Sequence, residues 1–174
     1  MKYIIKTPGR TGSHIITSYL RNNNIDCKHC QELWIPNDPS NWIFINNKRR
    51  NWWNMACSRV ITSYTKEYGP YTSRNIKVET DIESLIDSAG YAKNWYDTFD
   101  MQSKQFQWHK VVTIYYEDML ENINVLTAIG EWDTNLALTQ KMSSPYTFKD
   151  TIVDYNKLKL QFLEWQYNIG LLDE

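Results

Sequence analysis

The sequence predicts an α/β fold, a parallel sheet flanked by helices on both faces, and three observations predict it. Short β-branched runs alternate along the chain with longer stretches whose apolar residues recur at helical spacing. The first run, residues 2–7, passes through a glycine-bearing loop straight into a helical pattern, the opening of a parallel crossover unit. The length, 174 residues with 42% hydrophobic and 22% charged side chains, suits one globular domain spanning 1–174.

Each element follows from its local pattern. Residues 2–7 read as a strand that Pro8 and Gly9 break. From Ser13, the apolar positions Ile15, Ile16, Tyr19 and Leu20 share one helical face, and the asparagines at 22–24 stop it. Residues 25–30 and 42–46 read as strands, and 50–66 as a helix with Trp53, Ala56, Cys57, Val60, Ile61 and Tyr64 on one side. Residues 76–78 give a short strand and 81–99 a helix, with 111–116 the next buried strand. Helices are expected over 119–129 and 155–169, with loops at Gly69-Pro70 and Ser143-Ser144-Pro145.

Composition narrows the function. No apolar run reaches the roughly 18 residues of a membrane span, and the start lacks the apolar length of a signal peptide, so a cytoplasmic protein without membrane partners is expected. The three cysteines, Cys27, Cys30 and Cys57, are too few for a disulfide framework or a four-ligand zinc site, and no metal is expected. The net charge of −1 hides an asymmetry: residues 1–59 hold nine Lys or Arg against three acids. That split favours a small anionic ligand near the N-terminal third over a nucleic-acid footprint, which needs a basic domain overall.

The loop Pro8-Gly9-Arg10-Thr11-Gly12-Ser13-His14 fits such a ligand. Its glycines let the backbone approach closely, the helix starting at Ser13 points unpaired N–H groups into the same space, and Arg10 adds a permanent charge. A plain strand-to-helix turn with a Ser cap is the simpler reading of Gly-x-x-Gly alone. A nucleoside-triphosphate P-loop requires Lys directly after its last glycine, where this chain has Ser13.

The same segment resembles the 5′-phosphosulfate loop of the sulfotransferase family, with Gly9 inserted and His14 at the last hydroxyl position. The family's 3′-phosphate element, a strand leading to Arg and a Ser eight residues on, is matched by Arg50 and Ser58. Arg49 either joins them or sits on the surface. Residues 111–119, Val-Val-Thr-Ile-Tyr-Tyr-Glu-Asp-Met, resemble the strand and Tyr-Glu-Asp turn near the adenine side, which makes Tyr116 a cofactor-contact candidate.

The resemblance implies a compact, P-loop-NTPase-like sulfotransferase fold. It implies transfer of a sulfuryl group from 3′-phosphoadenosine-5′-phosphosulfate (PAPS; product PAP) to a hydroxyl or amine of a small-molecule or glycan acceptor. Arg10 then matches the cation on the bridging oxygen, and backbone N–H groups of Thr11, Gly12, Ser13 and His14 the 5′-phosphate. His29, resembling the base that follows Lys in the family, is favoured as general base over Glu32. Trp34, Trp52, Trp53, Tyr68 and Tyr71 are candidates for stacking on acceptor or adenine, and Lys141, Ser143 and Ser144 for a late loop over the nucleotide. Two other readings stand beside it: another nucleotide-dependent, kinase-like transferase, and a non-catalytic nucleotide-binding module of the same fold.

Overall fold

Four strands form one sheet: β1 (Lys2–Lys6), β2 (Cys27–Cys30), β3 (Trp42–Lys48) and β4 (Lys110–Tyr115). They are seen in a computed structural model that describes residues 2–30, 36–66, 76–105, 110–135 and 147–171. All pairings are parallel, in the order β2-β1-β3-β4. The chain is thus α/β with a four-stranded parallel sheet flanked by helices. It divides into two compact units, Met1–Arg49 with Lys93–Met142, and Arg50–Ala92 with Ser143–Glu174.

The first unit holds the sheet, and the period of two along each strand sorts its side chains. Tyr3 and Ile5 pair with Ile43 and Ile45, and Ile45 with Val112. These residues pack with Ile15, Ile16, Tyr19 and Leu20 of α1 (Ser13–Asn22) and with Met119 of α4 (Tyr116–Glu121). The opposite face carries Ile4, Phe44, Asn46 and Lys48. Residues 93–105, the end of the long helix α3 (Ile82–Gln105), cover it: Lys48 Nζ lies 3.1 Å from Asp100 Oδ2 and 5.4 Å from the Tyr96 ring. Helices on both faces leave the central strands β1 and β3 largely buried, the state that their near-continuous apolar runs require, while the edge strands β2 and β4 keep exposed residues.

The second unit is helical. Asn51 caps α2 (Trp52–Thr65) by accepting from the Asn54 N–H at 2.7 Å. Trp53, Ala56, Cys57 and Ile61 of α2 pack with Leu85 and Ala89 of α3 and with Leu158 and Phe162 of α6 (Tyr155–Asn168). A short helix, α5 (Phe148–Thr151), precedes α6 and was not legible in the pattern.

Three expectations need correction. Residues 76–78 form no strand of the sheet: Val78 makes one parallel bridge to Ile152 inside the second unit. The helix expected over 119–129 is broken at Asn122, whose extended backbone separates α4 from a 3-10 turn over Ile123–Ala128 and whose side chain accepts from Asn124 N–H. β2 starts at Cys27 rather than Ile25, because Asn24 takes a left-handed φ of 61° and delays the strand. Among the described residues no helix is long and apolar enough to cross a membrane.

Ile45 is wholly buried at the centre of the sheet, within the first core. Ile45→Ala should lower unfolding free energy by about 2–4 kcal/mol in a urea titration, with the slope against urea unchanged.

Candidate functional site

The strand order places a topological switch between β1 and β3. The chain leaves β1 through α1 toward β2, while β3 pairs on the other side. The carboxyl ends flanking that switch are where open parallel sheets form ligand crevices. The loop from Thr7 to Gly12 rises there.

Its backbone is held in a shape that few residues adopt. Gly9, Arg10 and Gly12 all have positive φ, at 90°, 61° and 74°. For Gly9 and Gly12 this is allowed, whereas for Arg10 a left-handed conformation costs about 1–2 kcal/mol. Neighbouring groups impose it. Thr7 Oγ1 accepts from Gly9 N–H at 3.1 Å and bonds the Thr11 hydroxyl. From the end of β3, Asn47 Nδ2 donates to the Thr11 carbonyl at 2.9 Å, and Arg49 Nη1 donates to the Arg10 carbonyl at 3.1 Å.

Those bonds take up carbonyls. Ile15 N–H bonds the Gly12 carbonyl at 3.0 Å, the first bond of α1. The N–H groups of Thr11, Gly12, Ser13 and His14 have no acceptor among the described residues. Backbone donors gathered around left-handed residues at a helix start make a concavity for an anion.

Arg49 is the largest group the sequence left undecided. Its side chain is 10% exposed, its guanidinium carbon stands 4.6 Å over the Tyr116 ring, and its Nε lies 3.6 Å from Glu117 Oε1. Burial draws the Arg49 guanidinium down from its ordinary value; Tyr116 and Glu117 oppose this, and the like charge of Arg10 adds to it. Arg49 therefore braces the loop from inside. Strand parity was the signal that could have found it, since 43, 45, 47 and 49 share the face toward α1 when β3 is extended by one residue.

Tyr116, expected at the cofactor, packs directly on the loop. A methyl carbon built at Gly12 would overlap its Cδ2 and lie 2.7 Å from its Cε2. Burial pushes the Tyr116 phenol up, the Arg49 charge pulls it back, and Glu117 adds to the rise.

His29 pairs with Ile5 and so faces α1, where its ring centroid is 6.1 Å from that of His14. Loss of hydration lowers the His29 imidazole below its ordinary value, and the positive fields of His14 and Arg21 lower it further. Cys27 and Cys30 fall on opposite faces of β2, with Cys27 in the α1-side core and Cys30 Sγ 4.0 Å from Lys6 Nζ. Lys6 is wholly buried at the end of β1 and was missed because it reads as an ordinary strand-flanking charge.

The first unit therefore brings together Pro8, Gly9, Arg10, Thr11, Gly12, Ser13 and His14 with Tyr116 and His29. Arg50 and Ser58 belong to the second unit: Arg50 precedes α2, and Ser58 is 6% exposed within it. Glu32, Trp34, Tyr68, Tyr71, Lys141, Ser143 and Ser144 lie outside the described residues. No protein-family model, curated protein or solved structure matches the chain.

Gly12→Ala should cost about 1 kcal/mol for its left-handed backbone, with a further 1–3 kcal/mol for overpacking against Tyr116. In the Tyr116→Ala background the Gly12→Ala cost should fall to the backbone share alone, and the share lost, the coupling energy of the double-mutant cycle in urea unfolding, should equal the overpacking.

Proposed function

We propose that this protein is a sulfotransferase that uses PAPS on a compact version of the P-loop-like sulfotransferase fold. One observation carries the reading: a loop at the sheet's switch point whose carbonyls at Arg10, Thr11 and Gly12 are bonded away, while the N–H groups of Thr11 to His14 have no acceptor among the described residues. The resemblance of residues 8–14 to a 5′-phosphosulfate loop gives that anion site its chemical class. The local charges support it. Arg10 and Arg49 repel one another across the loop, and a multiply charged anion would relieve that repulsion.

In this reading the acceptor oxygen or nitrogen attacks sulfur in line, and the bond between sulfur and the bridging oxygen breaks. Arg10 and the N–H groups of Thr11 to His14 stabilise the charge left on the departing phosphate. His29, held below its ordinary imidazole value, is neutral near pH 7 and takes the acceptor's proton. Glu32 is the rival for that proton. The assignment of Arg50 and Ser58 to the 3′-phosphate, and of Tyr116 to the cofactor, rests on the resemblance.

Arg10 offers a sharp test, because the protein keeps a charged residue where its backbone favours glycine. Arg10→Gly should leave thermal unfolding within a few degrees of the parent. Calorimetry should show PAP binding without divalent metal, weakened about 10–100-fold by Arg10→Gly through loss of a charge-assisted contact. Arg50→Ala should weaken PAP more than it weakens adenosine 5′-phosphate. Absence of PAP binding, or binding of ATP only with Mg²⁺, would overturn the proposal in favour of the kinase-like reading.

A further inference from the structure

The side chain of His14 has no task in the phosphate loop, where only its N–H is called on. It is the second residue of α1, and its ring meets the His29 ring at 6.1 Å between centroids and 62° between planes. Two rigid elements hold the pair: α1 starts from the braced loop, and β2 is fixed to β1 by the Ile5 to His29 register. Both residues reach the protein surface, although the His29 imidazole has lost part of its hydration.

We propose that His14 and His29 act as one two-imidazole unit that carries a single proton, which His14 takes when an anion fills the loop, leaving His29 as the free base. Two imidazolium ions at this separation repel, so protonation of one disfavours protonation of the other. His14 belongs to the same stretch of α1 as the anion-binding N–H groups, whereas His29 belongs to the neighbouring strand β2. A bound anion raises the proton affinity of the nearer ring most. The base role of His29 rests on the sulfotransferase reading; the shared proton does not.

The surroundings of His29 reinforce this. From α1 it faces His14 and Arg21, both of which lower its proton affinity. From β1 it meets apolar Ile5, with Tyr3 next along that face. On its own strand Cys27 shares its side, while Lys28 and Cys30 turn to the other. Among the described residues no carboxylate figures in its shift. The sign follows: a lowered His29 loses its proton on the acid side of the ordinary imidazole range and stays neutral above it.

The test is an imidazole nitrogen-proton NMR titration of the full chain, with His14→Asn and His14→Gln as variants and amide spectra as the check of fold. In the parent, His29 should titrate below free imidazole, and in either variant its midpoint should move to higher pH. Potassium sulfate, as the anion probe, should raise the His14 midpoint more than that of His29. A His29 midpoint unchanged in both variants, or sulfate acting equally on both rings, would overturn the proposal. Turnover adds a second readout. In His14→Asn the acid limb of the kcat profile should move to higher pH with the acceptor KM unchanged, and an unmoved limb would refute the coupling. Absence of turnover in the parent would remove the sulfotransferase reading, while the NMR titration would still decide the shared proton.

Discussion

The loop depends on one constraint: carbonyl groups near a strand end must be bonded away before neighbouring N–H groups can converge. Asn47 and Arg49 satisfy it by donating to the carbonyls of Thr11 and Arg10. Asn47 lies at the end of β3 and Arg49 directly after it, and each reaches the loop that follows β1, so these braces depend on β1 and β3 being neighbours. A strand order with β2 between them would separate donors from acceptors. The same pairing creates the switch point, so topology and loop shape share one cause.

Burying a guanidinium is costly, and the surroundings of Arg49 show how the cost is offset. Tyr116 presents its ring face, Glu117 its carboxylate at 3.6 Å, and the Arg10 carbonyl a full hydrogen bond. The offset is incomplete, since Arg49 Nε and Asn47 Oδ1 are buried without a hydrogen-bond partner among the described residues. Such orphans, together with a left-handed arginine, give up stability locally. Tyr116 links the parts: it covers Arg49 and closes against Gly12, so one aromatic ring fixes both brace and glycine.

Much of this was legible in residue order. Ile4-Ile5 and Ile43-Phe44-Ile45 announce buried strands, and the glycines at 9 and 12 announce a loop that bends through left-handed space. The run Lys48-Arg49-Arg50 was opaque, because three adjacent charges look alike until a register turns the middle one inward. The broken helix after Glu121 was missed because Asn122 competes with helix through its own side chain, which an apolar count does not see. Lys6 was passed over for a related reason: a lysine at a strand end reads as solvent-facing unless the opposite face is known to be covered.

Register also settles which chemistry can face which side. With a period of two, the carboxyl edge of the sheet sorts into an α1 face bearing His29 and Asn47, and an opposite face bearing Cys30, Lys6, Asn46 and Lys48. The loop is anchored to the first of these through Asn47, so a group held by it meets an imidazole rather than a thiol or an amine. A slip of β2 by one residue would reverse this, bringing Lys28 and Cys30 to the α1 side and sending His29 away. Cys27 opposes the slip, since it is 7% exposed in the α1-side core and a shift would replace it there with Asp26 or Lys28. One small apolar side chain at the far end of a four-residue strand thus determines which proton acceptor the loop confronts.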